Sequence, residues 1–171
     1  MKIDQTTIDF RVYEDAVEFL GVASATLPDL AFLTQSFKGA GIAGNVEVNV
    51  LGHLEAMTMS LNFRNFTEDA AKLFEPRRHN ISLYVAQQQE DTVNNTLSVQ
   101  DVKHTFGLVP KTLKGGSLEP AAPSNPSGEY AVRYWKTVVD GKVVLEIDPY
   151  NYICTVNSVD YLEPVRKALG K

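Results

Sequence analysis

The sequence predicts a mainly β fold: a β-sandwich or barrel protomer with one short α-helix, forming a single domain over residues 1–171. Three observations predict it. Apolar and polar residues alternate with a period of two in several segments. Turn-forming Gly, Pro, Asn and Asp recur at close spacing between those segments. Only one internal segment has a clear helical start and stop. With 171 residues, 44% of them apolar, the chain can bury a real core.

The clearest signal is a hairpin over 129–148, which reads EYAVRYWKTVVDGKVVLEID. Two runs rich in β-branched and aromatic residues flank Asp140 and Gly141. Asp-Gly readily adopts the two positive φ angles that a two-residue type I′ turn requires. We therefore expect a tight turn at these two residues.

This turn also predicts how the two strands of the hairpin are aligned. Arg133 falls opposite Asp148, and opposite charges across a ladder contribute ~0.2–1 kcal/mol. Lys136 falls on the apolar face opposite Leu145, so either the hairpin twists away from the core there or that face meets another subunit. The other predicted pairs are Val139–Lys142, Val138–Val143, Tyr134–Ile147 and Trp135–Glu146.

Eight further segments are predicted as strands from their apolar alternation or their β-branched and aromatic content. The first two, 8–12 and 17–23, form a hairpin around Asp15 and Ala16. A two-residue turn is predicted there, with a looser turn as the alternative because Ala disfavours positive φ. A further strand, 152–156, follows the main hairpin. The others are 31–37, 46–50, 57–63, 81–85 and 97–109.

The helix is predicted between Thr67 and Pro76. Thr67 is a suitable N-cap, Glu68 and Asp69 lie in the first turn, and Pro76 cannot continue a helix. At about two turns it must pack on a sheet to be stable. A second short helix is possible over 162–169, with Pro164 in its first turn.

The segment 39–44 reads GAGIAG and matches the glycine pattern of dinucleotide-binding sites. Such a site needs those glycines to open a helix in a βαβ unit. Here they precede a strand with period-two alternation, so we interpret them as a bent connection between strands. A second loop is predicted over 115–128, which is rich in Gly, Pro and Ser and lacks periodicity.

The motifs of common enzymes are not found in this sequence. There is no G-x-x-x-x-G-K-[ST] phosphate loop and no G-x-S-x-G nucleophile elbow. His53, His79 and His104 are scattered, without Cys or carboxylates at metal-ligand spacing, and are expected at the surface or at strand ends. The sequence therefore predicts a protein that is not an enzyme and has no metal or cofactor.

Charge and cysteine content restrict the partners. The formal net charge of −5 argues against a nucleic-acid binder, whose affinity depends on Lys and Arg meeting phosphates. Cys154 is the single cysteine, either a small buried hydrophobe or half of an intermolecular bridge. We expect neither a signal peptide nor membrane insertion. We predict that the protein is made and kept in the cytoplasm, or that it leaves the cell by a route other than secretion.

Two segments contain motifs in a specific order. In 20–44, Gly21, the Leu27-Pro28 step and the glycine cluster precede a strand. In 138–170, DGK is followed by EID, by Val-Asn-x-Val-Asp and by a helix ending Leu169-Gly170. With this order and spacing the chain resembles the major tail tube protein of contractile-tailed bacteriophages and phage-tail-like bacteriocins. Ser158 stands where the family usually has Gly, so a differently built turn is expected there.

The resemblance implies a protomer that pools its sheet with its neighbours into a ring-shaped, multi-protomer β-barrel. Hexameric rings would stack into the inner tube of a virion tail, assembled in the bacterial host cytoplasm and leaving a lumen for DNA. The implied partners are copies of the chain, the sheath protein, and the baseplate and terminator proteins. No sequence-specific binding of nucleic acid is implied.

The glycine-rich stretch around Gly39, Gly41 and Gly44 is our candidate contact to the adjacent ring, and the N-terminal strand is a second. A solvent-exposed loop is the alternative interpretation of the glycines. Two other functions stay open at this point: the tube protein of a type VI-like secretion machine, and a monomeric β-sandwich binding module that uses the loop at 115–128.

Overall fold

A computed structural model describes residues 1–19 and 21–171 of the protein. Leu20, which belongs to the predicted strand 17–23 and to the resembling segment 20–44, lies outside the described residues. Strands dominate, which confirms the predicted mainly β class. They are β1 (Lys2–Glu14), β2 (Val17–Phe19), β3 (Val22–Thr26), β4 (Phe32–Phe37), β5 (Val46–Leu54), β6 (Met57–Phe63), β7 (His79–Asp91), β8 (Thr96–Lys114), β9 (Ser127–Val139), β10 (Lys142–Asp148), β11 (Ile153–Val156) and β12 (Val159–Asp160).

Two sheets are present in the described part of the chain. The large antiparallel sheet has the order β12-β11-β10-β9-β8-β7-β1-β2. One edge of β9 pairs with β8 from Lys114 to Val102, while its other edge pairs first with β6 and then with β10. β6 also pairs with β3. The second sheet contains β4 and β5 alone.

The core lies on one face of the large sheet, and β6 shows how the sequence builds it. Along β6 every second residue is buried, as its alternation predicts. Each fully buried Leu or Phe contributes about 1.5–3 kcal/mol relative to an exposed one. The buried core cluster consists of Val12, Met57, Met59, Leu61, Phe63, Ala70, Leu73, Ile81, Leu83, Phe106, Leu108, Tyr130, Val132, Trp135 and Ile147.

Two short helices are found, one more than the predicted fold class. α1 (Glu68–Lys72) begins at the predicted N-cap, where the Thr67 hydroxyl accepts from the Ala70 N–H at 3.3 Å. It buries Ala70 and Leu73 and ends before Pro76. α2 (Glu163–Ala168) occupies the segment 162–169, where a second helix was possible.

The two tight hairpin turns predicted from the sequence each have two residues. Asp140 (φ 47°) and Gly141 (φ 77°) have the predicted positive φ angles. Asp15 (φ 46°) and Ala16 (φ 69°) adopt them as well, so the predicted two-residue turn is present there and the looser alternative is not. Ser158 (φ 69°) also takes this left-handed conformation, although a serine pays a steric penalty that glycine avoids.

The predicted alignment of the main hairpin was wrong beyond its first two pairs. A bulge at Val144 shifts the ladder by one residue, so that Leu145 faces Thr137 and Ile147 faces Trp135. Arg133 and Asp148 are therefore not opposite one another. The carboxylate of Asp148 instead accepts from the N–H groups of the next turn.

The bulge also explains why Lys136 does not lie on the apolar face, where the predicted alignment placed it. Lys136 faces Glu146, not Leu145, and both lie on the face opposite the core. The carbonyl of Val144 accepts from the N–H of Asn157 at 2.8 Å, so the turn after β11 holds the bulge in place. A one-residue insertion reverses every later side chain, which is why alternation alone misassigned them.

Candidate assembly surfaces

The β4–β5 hairpin is the part of the molecule least supported by its own chain. Every residue of β4 is exposed, and β5 is exposed from Val46 to Leu51. A two-stranded hairpin alone is only marginally stable in water. This hairpin therefore presents surface that a further partner would stabilise.

Its two faces differ in chemistry. One face carries Phe37 opposite Val46 and Gln35 opposite Val48; the other carries Ser36 opposite Glu47 and Thr34 opposite Asn49. Phe37, Val46 and Val48 are 48%, 42% and 40% exposed. The period-two alternation of 46–50 predicts one covered face, but in a single copy no described part of the chain covers it.

Glycines form the tip of this hairpin. Gly41 (φ 89°) and Gly44 (φ 129°) have φ angles that favour glycine, and the Ile42 N–H donates to the Gly39 carbonyl at 3.1 Å. A Cβ at any of the three would meet no atom within 4 Å. The structure thus places Gly39, Gly41 and Gly44 together in an open, strongly bent connection, and no helix follows them.

The base of the hairpin lies beside β10 and β11. Between them is a groove of about 540 Å³. Gly52 (φ 67°) allows a close approach here, since a Cβ on it would lie 2.4 Å from Leu162. The groove is mainly apolar and is lined by Leu30, Phe32, Val50, Leu51, Leu145, Ile147, Cys154, Val156 and Tyr161, among others.

Cys154 lies in the wall of this groove and is buried. Burial, reinforced by the nearby Asp160 carboxylate, raises the pKa of its thiol. A thiol that resists ionisation is a poor nucleophile. This environment favours the small buried hydrophobe over the intermolecular bridge.

A second surface is a ribbon formed by the first half of β1, the second half of β7 and the start of β8. β2 pairs with β1 only from Val12 to Glu14, and β9 pairs with β8 only from Val102 onward. Within the described residues, the ladders therefore leave both long edges of the ribbon largely unpaired. Unpaired edges are templates for pairing with another strand.

The ribbon is held by polar ladders in place of a core. Gln89 donates to Asp4 at 2.7 Å, and Gln88 donates to Gln5 at 2.6 Å. Bulges at Gln5 and Ile8 interrupt its alternation. Sequence reasoning missed this ribbon, because glutamines and bulges hide the period of two.

The face of the large sheet that points away from the core carries balanced charge in rows across the strands. One row contains Asp9, Ala86 and Asp101. The next contains Arg11, Tyr84, Lys103 and Val138. A third contains Tyr13, Ser82, Thr105, Lys136 and Glu146. An acidic row thus lies beside a basic one.

Several contacts fix the side chains on this face. The Lys103 Nζ lies 4.8 Å from the centre of the Tyr84 ring, which meets Tyr13 edge-on at 5.2 Å. The Tyr134 hydroxyl donates to Glu146 at 2.9 Å, and burial together with this carboxylate raises its pKa to about 12. The face is therefore an ordered polar surface.

His79 lies in a buried polar cluster. His79, expected at the surface or at a strand end, begins β7 but is fully buried: its Nδ1 lies 2.5 Å from Glu14 Oε1, and its Nε2 lies 3.0 Å from the Glu75 carbonyl oxygen. Arg77 also contacts Glu14, at 3.0 Å. This cluster ties the end of β1 to β7. Because His79 and Glu14 are 0% and 3% exposed, no substrate can reach them.

Residues 1–19 and 21–171 contain neither a candidate metal cluster nor a helix that could span a membrane. No group of three His, Cys, Asp or Glu side chains is placed to hold a metal ion. None of the helices is long and apolar enough to cross a lipid bilayer. Among these residues, the distinctive surfaces are thus the uncovered hairpin, the ribbon edges and the charged sheet face.

Comparison with known proteins decides the family. The family model for the phage tail tube protein FII matches residues 4–170. The chain belongs to this family. The resemblance seen in 20–44 and 138–170 is therefore confirmed, and it extends over nearly the whole chain.

One curated relative and one solved structure are similar to this tail tube protein. It is 26% identical over 168 residues to the tail tube protein of Escherichia phage P2, covering 93% of each chain. Its fold is similar to that of the sheath/tube terminator of an extracellular contractile injection system, PVC. That structure has a TM-score of 0.54 at 10% identity and covers 77% of this chain and 94% of the other. As a tail tube protein, the chain is a component of a phage-type tail.

Proposed function

We propose that this chain forms hexameric rings that stack into the inner tube of a contractile phage or phage-like tail, with a lumen for DNA. The observation that carries the proposal is the ribbon with two largely unpaired edges. An edge strand of eight residues leaves about four N–H and four C=O groups without a ladder partner. Pairing the β1 edge of one copy with the β8 edge of the next gives the free N–H and C=O groups of both edges a ladder partner, and repeating this pairing closes a ring.

Closure into one barrel explains why the ribbon has no core of its own. The width of a barrel grows with its strand number, so a barrel pooled from six copies is an open tube. One face of each sheet then packs on the protomer core, and the opposite face lines the lumen. That opposite face carries the charged rows described above. Their basic residues are Arg11, Lys103 and Lys136, and their acidic residues are Asp9, Asp101 and Glu146.

A balanced lumen suits passage of a polyanion. Tight binding to DNA requires an excess of Lys and Arg that releases counterions from phosphates. Here each basic side chain on the face has an acidic one in the same or the next row, so the face offers no net attraction. We therefore propose passage without sequence-specific binding, and a structural role without catalysis.

The β4–β5 hairpin supplies the proposed contact between rings. Its apolar face would be covered by a copy in the adjacent ring, with Gly39, Gly41 and Gly44 at the reaching tip. A sheath protein would surround the tube, and baseplate and terminator proteins would occupy its ends; the similar fold of a sheath/tube terminator supports this. Assembly would take place in the bacterial host cytoplasm.

Negative-stain electron microscopy of the purified protein tests the proposal. We expect rings, or hollow rods built from them, at raised protein concentration, because a barrel pooled from several copies is wide enough to leave a lumen. Solid fibres, or a monomer at every concentration examined by sizing and light scattering, would contradict it.

A further inference from the structure

Two connections at opposite ends of β8 each display an aliphatic side chain in solvent. Leu118, in the loop 115–126, is 93% exposed, and Val93, in the turn 92–95, is 75% exposed. β8 runs without interruption from Thr96 to Lys114 between these connections. At 3.2–3.4 Å per residue, such a strand places them about 60 Å apart.

The loop that carries Leu118 is anchored to the body of the protein. The Ser117 N–H donates to the Ser124 carbonyl at 2.9 Å, and the Ser124 N–H donates to Asn65 Oδ1 at 3.1 Å. Gly116 (φ 79°) makes this closure possible, since a Cβ there would lie 1.9 Å from the Ser124 carbonyl oxygen. Leu118 is thus presented by a loop that is itself well bonded.

The turn that carries Val93 is equally well bonded. The Asp91 carboxylate accepts from the Val93 N–H at 3.0 Å and from the Asn94 side chain at 2.8 Å. Asn95 (φ 53°) adopts the left-handed conformation that closes the turn. Because both connections are ordered in the single copy, little conformational freedom remains to be lost when either binds a partner.

We infer that Leu118 of a copy in one ring packs against Val93 of a copy in the next ring. This inference rests on the proposed tube. In a pooled barrel the strand ends form the two rims, and stacked rings meet rim to rim. Such a contact is heterologous: the surface at one end must match the surface at the other end of an identical molecule. Two ordered aliphatic side chains at the two ends meet that condition.

The contact between Leu118 and Val93 is separate from the β4–β5 hairpin and gives each interface between rings a second point of attachment.

A pair of charge substitutions tests the contact. Leu118→Arg and Val93→Asp are each expected to shorten tubes at least tenfold, leaving single rings, because each places one charge against an aliphatic side chain. The double variant brings opposite charges together and is expected to restore tube length. Electron micrographs of the variants, assembled at equal concentration, give the length distributions.

Leu169→Arg is the matched control, since Leu169 is 57% exposed at the end of α2 and should leave tube length unchanged. Tubes of normal length from both single variants, or rings from the double variant, would overturn the inference while leaving the tube itself intact. A wild-type protein that forms no rings would instead overturn the proposed function.

A cross-link checks the contact without charge changes. The Leu118→Cys, Val93→Cys double variant is expected to give a ladder of linked chains on a non-reducing gel after oxidation of assembled tubes. The two positions lie too far apart within one chain to bridge, and Cys154 is buried. A double variant that assembles into tubes and yields only single chains after oxidation would contradict the contact.

Discussion

Strands β5 and β6 share the same alternation of apolar and polar residues, but they differ in how far their apolar side chains are buried. Val46, Val48 and Val50 alternate with polar residues, as do Met59, Leu61 and Phe63. The apolar side chains of β6 are 0–1% exposed at these three positions, whereas those of β5 are 39–42% exposed. Alternation therefore predicts that one face of a strand is buried. It does not tell whether that face packs against the same chain or against another copy.

The largest expected effect is in the covered strand. Leu61→Ala should lower the free energy of unfolding by about 2–5 kcal/mol, because it leaves a cavity in a packed core. Val48→Ala in the uncovered strand should change it by less than about 0.5 kcal/mol. Urea unfolding of single protomers at low concentration measures both; equal losses would mean that the hairpin packs on its own chain.

The loops of the two regions allow a similar contrast. Gly116→Ala should destabilise the protomer by about 1–3 kcal/mol from its φ of 79° alone, and more from the clash with the Ser124 carbonyl. Gly39→Ala, in open space without a positive φ, should have almost no effect. Thermal unfolding compares the two. A stable Gly116→Ala protein would show that the loop 115–126 is not anchored as described.

A pH effect is expected at the helix beside the groove. Burial raises the pKa of the Asp160 carboxyl. The Arg166 guanidinium at 2.6 Å and the Leu162 N–H lower this pKa by more than burial raises it, so it lies below its usual value. The stability from this pair is complete above about pH 4, where an unfolded Asp is ionised, and is lost as pH falls through the lower folded pKa. The loss should be about 0.5–1 kcal/mol.

Asp160→Asn serves as the control for this effect, because its side chain does not titrate. The difference in unfolding free energy between the two proteins should shrink as the pH falls from 5 to 2. A difference that stays constant over this range would show that the ion pair contributes nothing.

The smallest effect on protomer stability should accompany a large effect on assembly. Val48→Asp is expected to leave the free energy of unfolding within about 0.5 kcal/mol of wild type while preventing tubes. Asn49→Asp, on the polar face of the same strand, should leave the tubes intact. Sedimentation of assembled material with parallel unfolding curves tests this; tubes from Val48→Asp would mean that the apolar face stays uncovered.

Local rules predicted much of the fold. The alternation of 57–63, the cap at Thr67 and the Asp140-Gly141 turn each depend on neighbouring residues, and each was found as predicted. The predicted alignment of Arg133 with Asp148 was wrong because of the bulge at Val144. This bulge depends on a hydrogen bond from Asn157, which lies in the turn between β11 and β12. Long-range contacts of this kind leave no periodic signal.

The candidate surfaces were predictable only in part. The glycine cluster at 39–44 marked the hairpin tip, since such a run is too flexible for a core. The ribbon edges and the balanced charge rows could not be predicted, because bulges at Gln5 and Ile8 change which side chains share a face. Which copy covers a surface is a property of the assembly and not of one sequence.

Amide hydrogen exchange of single protomers and of pelleted assemblies tests most directly whether copies of the chain complete its sheets. We expect peptides from β4–β5 and from the first half of β1 to exchange at least 100-fold more slowly after assembly, while β6 peptides, already covered, change little. Equal exchange of the hairpin and of β1 in the two samples would contradict the account.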